Sequence, residues 1–186
     1  MTTICPAPRS SAERCSDYSD RALIIQAALE ILEQGEQLVR SLSLEAYRQK
    51  QNLAFNASVG GHYRHCLDHF VNFLRALDQE ELDYDARDRD ERIEADPDFA
   101  VSFSQSLGRR LSTLAAVILS KPVLARSKVK YGGGGSPATS SSYGRELVYV
   151  MAHAVHHYAL ISIICRLQAV AVPEGFGIAP STLAKH

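Results

Sequence analysis

The stretch LVYVMAHAVHHYALISIIC (residues 147–165) decides the fold class, because it contains 19 residues and no Asp, Glu, Lys or Arg. This length is close to the ~20 apolar residues that a helix needs to cross a bilayer. Three histidines lie in its middle, however, and polar side chains are costly in hydrocarbon. The stretch therefore predicts a helix buried inside a soluble protein and no membrane span.

Three further segments carry apolar residues at helical spacing, and no strand pattern competes with them. One of them has a clear start signal, in which Asp96 can cap free amides and Pro97 fits the first helical position. The four predicted helices cover residues 20–42, 58–77, 96–120 and 143–170. Four long helices with apolar faces predict an all-α four-helix bundle.

The chain is predicted to contain a flexible segment (residues 1–19), one bundle domain (20–172) and an irregular tail (173–186). Residues 1–19 have no apolar run, so no secretory signal is predicted. The charged segment 83–96 is either a solvated crossover or a loop that turns Arg87 or Arg89 inward to hold an anionic substrate. The glycine-rich segment 128–142 is interpreted as a flexible loop or lid, since it lacks the spacing of a phosphate-binding loop.

Composition excludes several classes of protein. Lys+Arg number 20 and Asp+Glu number 21, so no basic excess predicts nucleic acid or an anionic membrane as a partner. Hydrophobic residues at 46% and charged residues at 22% are typical of a folded globular domain. The four cysteines show no CxxC spacing, which favours a reducing, cytoplasmic compartment over a disulfide framework.

Six of the seven histidines form two groups on the second and fourth predicted helices. The first group is His62, His65 and His69, and the second is His153, His156 and His157. Residues three and four apart share one face of a helix, so two imidazoles on adjacent turns can converge on one ion. A third imidazole from a facing helix would complete a three-histidine site with open positions, which is typical of catalytic centres.

The alternative explanation is that these histidines are ordinary core residues, because HxxxH spacing also occurs by chance. The pattern lacks the glutamate of HExxH, so a metalloprotease is not predicted. A helical interaction module that binds no metal stays open on the residues alone.

Two motifs resemble those of the DinB/YfiT-like family. SVGGHYRHCLDH (residues 58–69) is similar to the second-helix motif of that family, and ELVYVMAHAVHHY (residues 146–158) is similar to its last-helix motif. The resemblance implies a four-helix bundle, a homodimer, and a divalent metal (Zn, Ni, Fe or Mn) bound by three histidines.

The resemblance also implies which histidines bind the metal. The second-helix ligand of the family lies about eight residues after a Trp, and here Ala57 stands at that position, so the ligand falls on His65. The HxxxH pair of the last helix carries over onto His153 and His157. His62 and His69 are interpreted as hydrogen-bonding neighbours of the ligands or as alternative ligands.

Family members with an assigned role handle low-molecular-weight thiols. The resemblance therefore implies a small-molecule substrate, possible chemistry as a metal-dependent thiol S-transferase or hydrolase, and no assignable catalytic residue. Tyr63, Arg64 and Arg87 are the predicted substrate-binding residues. The alternative is a non-catalytic metal-binding bundle of the stress response, or a protein-interaction module.

Overall fold

The structure is a computed structural model that describes the backbone of residues 11–184 and the side chains of residues 19–184. Over this range the chain is mostly helical, with a small three-stranded sheet. The α-helices are α1 (Ser11–Ser41), α2 (Leu44–Arg48), α3 (Val59–Gln79), α4 (Glu91–Ala95), α5 (Pro97–Ser112), α6 (Tyr143–Leu167) and α7 (Pro180–Leu183). The strands are β1 (Glu81–Asp83), β2 (Pro122–Arg126) and β3 (Ala138–Ser142).

The four long helices α1, α3, α5 and α6 form the body of the protein. α3 packs against α6, while α1 packs against both α5 and α6. Their buried faces meet in one core whose largest fully buried side chains are aromatic: Tyr47, Tyr63, Tyr158, Phe70 and Phe73.

Polar side chains begin the helices where the sequence predicted they would. Ser58 accepts a hydrogen bond from the amide of Gly61 at 3.0 Å, and Asp96 accepts from the amides of Asp98 and Phe99. These caps satisfy amides that have no partner within the helix. The expected start signals of α3 and α5 are therefore confirmed.

The prediction that no strands form is wrong. β2 pairs in parallel with β1 and antiparallel with β3. Leu82, Val123 and Ala125 turn inward and are at most 8% exposed, so the sheet adds to the core. β3 has the sequence ATSSS, which has no apolar alternation, so no strand was predicted there.

Two helix boundaries differ from expectation. α1 begins at Ser11 instead of near residue 20, and α5 ends at Ser112 instead of near residue 120. The hydroxyls of Ser112 and Thr113 donate to the carbonyls of Arg109 and Arg110, which the next helical turn would otherwise use. A 3₁₀ turn (Ala116–Ser120) then leads into β2.

The connections and the tail are more ordered than the sequence suggests. The charged crossover contains α4 and buries Ile93, while the glycine-rich segment joins β2 to β3. In the tail Phe176 is buried and stacks on Tyr158 with ring centroids 4.6 Å apart. Residues 1–10 and 185–186 lie outside the described residues, so the predicted flexible segment is described only from Ser11 onward, where it is helical.

Among the described residues, α6 is the helix whose length and mean hydropathy of 1.6 would fit a bilayer. In this fold 44% of that apolar window is buried within the protein. A core helix of a soluble protein meets the same criterion, so length and hydropathy alone do not place α6 in a membrane.

Candidate metal centre

The packing of α3 against α6 brings together the three histidines that the sequence analysis selected. One ring nitrogen each of His65, His153 and His157 lies within 4.8 Å of the others. The Nε2 atoms of His65 and His153 are 2.9 Å apart. One residue thus comes from α3 and two, a turn apart, from α6, as the helical spacing requires.

Two further histidines of α3 border this triad. His62 Nδ1 is 2.9 Å from His157 Nδ1, and the ring of His69 lies 4.0 Å from that of His153 between centroids. His156 is exposed on the outer side of α6. We call His62, His65, His69, His153 and His157 the histidine cluster.

Burial keeps the histidine cluster uncharged at neutral pH. Desolvation, reinforced by the neighbouring imidazoles, lowers the pKa of His65 and His157 to about 3. Desolvation is also the main cause that lowers the pKa of His69 to about 3 and the pKa of His153 to about 4. It lowers the pKa of His62 as well. Neutral imidazole is the form that binds metals, so these rings have the charge state that a ligand set requires.

The described residues fit a divalent cation of the zinc type. Each neutral ring carries one N–H and one lone pair, so each ring can offer one nitrogen lone pair to a cation. A cation at the triad would accept the lone pairs that converge there. The triad offers three nitrogen donors, no thiolate and no carboxylate, which matches catalytic sites with open positions.

The two predicted arginines occupy different surroundings. Arg87, on the loop between β1 and α4, donates through Nη1 to His65 Nδ1 at 2.7 Å. Arg64 is hydrogen-bonded to the carboxylates of Asp68 and Glu94, both at 3.2 Å. Arg87 therefore reaches the triad, whereas the charge of Arg64 is already paired.

The structure does not bring Tyr63 to the cavity beside the histidines. Tyr63 is 0% exposed and lies against Gly35 of α1, where an added Cβ would be 2.6 Å from its ring. Tyr63 is rotated by about 100° from His62 along the helix, so it enters the core. The predicted role of Tyr63 in substrate binding has no support from this position.

A surface cavity of about 320 Å³ is lined by two members of the triad, His65 and His157. Its lining also includes His62, Lys50, Arg64 and Glu94, but not His153 or Arg87. α4 can approach this close because residue 60 is glycine: a Cβ there would be 2.5 Å from the Glu94 carbonyl oxygen. The cavity gives a small molecule access to His65 and His157.

Three residues near the cluster escaped the sequence analysis. Tyr84 stacks on His69 with centroids 5.2 Å apart, and it donates to Glu146 at 2.6 Å. Tyr149 lies beside His153 with centroids 6.0 Å apart. Glu146 and Tyr149 precede His153 by seven and four residues, so helical spacing could have indicated them. Tyr84 reaches the cluster from a loop and left no such signal.

Comparisons with known proteins leave the family open. No protein-family model matches the chain, and no solved structure matches it. A 102-residue part is 35% identical to FK506-binding protein 5 of Rhizopus delemar, covering 55% of this chain and 26% of that relative. The chain thus spans about a quarter of the relative's length, and an alignment of that extent does not carry the relative's binding activity over to this chain.

Proposed function

We propose that this chain is a divalent-metal-binding protein with a DinB-like four-helix bundle, and that it acts as a metal-dependent thiol S-transferase on a small molecule. The observation that carries the proposal is the convergence of His65, His153 and His157 within 4.8 Å, next to an accessible cavity. The motif resemblance supports the same three ligands. A homodimer and a cytoplasmic location belong to the proposal, since the resemblance and the cysteine pattern favour them.

A divalent ion held by three neutral imidazoles keeps its full charge and lowers the pKa of a bound thiol or water. The chain's own contribution begins with the burial that keeps the triad neutral. His62 lies beside His157 at the cavity, where its ring can orient that ligand. In the proposed reaction, the cavity would hold the second, electrophilic substrate next to the sulfur atom of the thiol.

The reaction balances without an oxidant or reductant. The thiol gives up its proton, and its sulfur forms a bond to an electrophilic carbon of the second substrate. The bond from that carbon to its leaving group breaks, and the leaving group departs with the electron pair. With a chlorinated aromatic compound the products are a thioether, chloride and a proton.

Elemental analysis of protein purified without a polyhistidine tag tests the metal site. We expect about one divalent ion per chain in the wild type and a loss of at least tenfold in bound metal for His153→Ala and His157→Ala. His156→Ala is the matched control, because His156 is on the same helix and exposed. Equal metal content in all four proteins would overturn the site.

A second measurement separates an enzyme from a metal-binding protein. Metal-loaded protein is incubated with 2-mercaptoethanol and 1-chloro-2,4-dinitrobenzene, and free thiol and released chloride are followed. Metal-dependent loss of thiol with equal release of chloride supports the transferase. Full metal occupancy without turnover favours the non-catalytic alternative for this pair of substrates.

A further inference from the structure

Arg87 is an unusual cation, because it is partly buried and forms no ion pair with a carboxylate of the described residues. Within the described part of the chain, no carboxylate oxygen lies within the 4.0 Å ion-pair distance of its guanidinium group. Its Nε is buried and has no hydrogen-bond partner among the described residues. Buried cationic donors are normally paired, so this one points to a partner that is not part of the protein.

The acidic side chains around the cluster are engaged elsewhere. Asp68 and Glu94 share Arg64, and Glu146 accepts hydrogen bonds from Tyr84 and Ser141. Asp68 and Glu94 together carry one negative charge more than Arg64 neutralises. This charge partly offsets the positive potential of Arg87, but neither carboxylate lies within ion-pair distance of the Arg87 guanidinium group. A divalent ion at an all-imidazole triad would add two positive charges with no anionic ligand from the described chain.

The geometry points to an anionic ligand, and we propose that the thiol bound at this centre carries a second acidic group, which Arg87 recognises. This inference rests on the proposed function, since it places the sulfur at the triad. Arg87 contacts Nδ1 of His65, whereas Nε2 of that ring faces His153. The acidic group would therefore bind on the Nδ1 side of His65 and the sulfur on its Nε2 side, so a short chain would separate the two.

The hydrogen-bond chemistry of His65 adds a second argument. A guanidinium group can only donate, so His65 Nδ1 accepts in this contact, and the proton of the neutral ring is then on Nε2. A cation at Nε2 needs that nitrogen free of its proton, and it also repels the guanidinium. An anion that draws Arg87 away from His65 therefore favours metal binding, which couples the acidic group of the ligand to the metal.

Three thiols with similar two-carbon chains test the proposal: 3-mercaptopropionate (anionic), 2-mercaptoethanol (neutral) and cysteamine (cationic). Each is titrated into cobalt(II)-loaded protein, and binding is read from the cobalt–sulfur absorption. We expect 3-mercaptopropionate to bind roughly tenfold more tightly than 2-mercaptoethanol, and cysteamine to bind most weakly.

The test variant is Arg87→Gln, and Arg89→Gln is its control, because Arg89 is on the same loop and exposed. We expect Arg87→Gln to lose the preference for the anionic thiol while it binds cobalt at least as tightly as the wild type. Arg89→Gln should keep the preference.

Equal affinities of the wild type for the three thiols, or an unchanged preference in Arg87→Gln, would overturn the role of Arg87 and leave the metal site standing. Failure of the wild type to bind cobalt at His65, His153 and His157, or to bind any thiol, would instead overturn the proposed function and this inference with it. The two failures are thus distinguishable.

Discussion

Two groups of polar side chains lie next to each other on the same pair of helices and have opposite surroundings. Tyr63 follows His62 on α3, and Tyr158 follows His157 on α6. Consecutive helical residues differ in direction by about 100°, so one pair enters the core and the other faces the cavity. We call Tyr63 and Tyr158, with Gly35 between them, the tyrosine cluster.

The hydrogen-bond partner of Tyr158 distinguishes it from the histidine cluster. Tyr158 donates to the backbone carbonyl of Ile31 at 3.0 Å, a fixed acceptor that locks α6 onto α1. In the histidine cluster the ring nitrogens of His65 and His153 face each other. A hydroxyl with a backbone acceptor, as in Tyr158, stabilises packing, whereas ring nitrogens that face each other can be offered to a ligand.

Among the substitutions that test the two clusters, Tyr158→Ala is expected to have the largest effect on the free energy of unfolding. Removing a fully buried aromatic ring should lower the free energy of unfolding by roughly 3–5 kcal/mol, because it leaves a cavity in the core. Urea denaturation measures the change. Tyr131→Ala, at the fully exposed tip of the hairpin, should stay within about 0.5 kcal/mol of the wild type. A similar small loss for Tyr158→Ala would remove the structural role of the tyrosine cluster.

Gly35→Ala should destabilise by about 1–3 kcal/mol, since the new Cβ would lie 2.2 Å from Tyr158 Oη. Gly108→Ala is the matched control in α5, where a Cβ would meet Leu29 and Leu32 at 3.8 and 3.9 Å. That distance is ordinary contact, so the better helix propensity of alanine should stabilise the protein by up to about 1 kcal/mol. Equal effects of the two substitutions would contradict the close packing at Gly35.

The histidine cluster should make stability fall in acid. Burial lowers the pKa of His69 to about 3, so below pH 6.5 the unfolded ring binds a proton that the folded ring does not. Each such group removes up to about 1.4 kcal/mol per pH unit, between its unfolded and folded pKa values. Urea denaturation with a chelator present, from pH 7.5 to 5, should show this decline, and His69→Leu should make it shallower. An unchanged slope in His69→Leu would contradict the neutral, buried state of that ring.

Tyr158→Phe should have the smallest effect. Loss of the hydrogen bond to Ile31 should cost about 1 kcal/mol at every pH, with metal content and acid slope as in the wild type. Elemental analysis beside urea denaturation measures both. Loss of metal in this variant would show that the two clusters are not independent.

The sequence predicted much of the fold and most of the candidate site. Helical spacing grouped six histidines into one set on each of two helices, because residues three and four apart form a local pattern, and the motif resemblance implied His65, His153 and His157 within those sets. The sequence analysis predicted no strand at β3, since ATSSS has no apolar alternation. The sequence analysis assigned Tyr63 to the substrate site beside His62. In the structure Tyr63 lies in the core, because the elements that pack against each face of a helix are set by distant parts of the chain.

The amino-acid order by itself determined the long apolar helices, their caps and the placement of imidazoles a turn apart, since these depend on propensity and periodicity along one segment. Only the tertiary structure decided which face of α3 meets α6 and that a loop brings Arg87 to His65. It also decided that the rings are buried enough to stay neutral. Contacts between distant segments and the loss of water around a side chain exist only once the chain has packed.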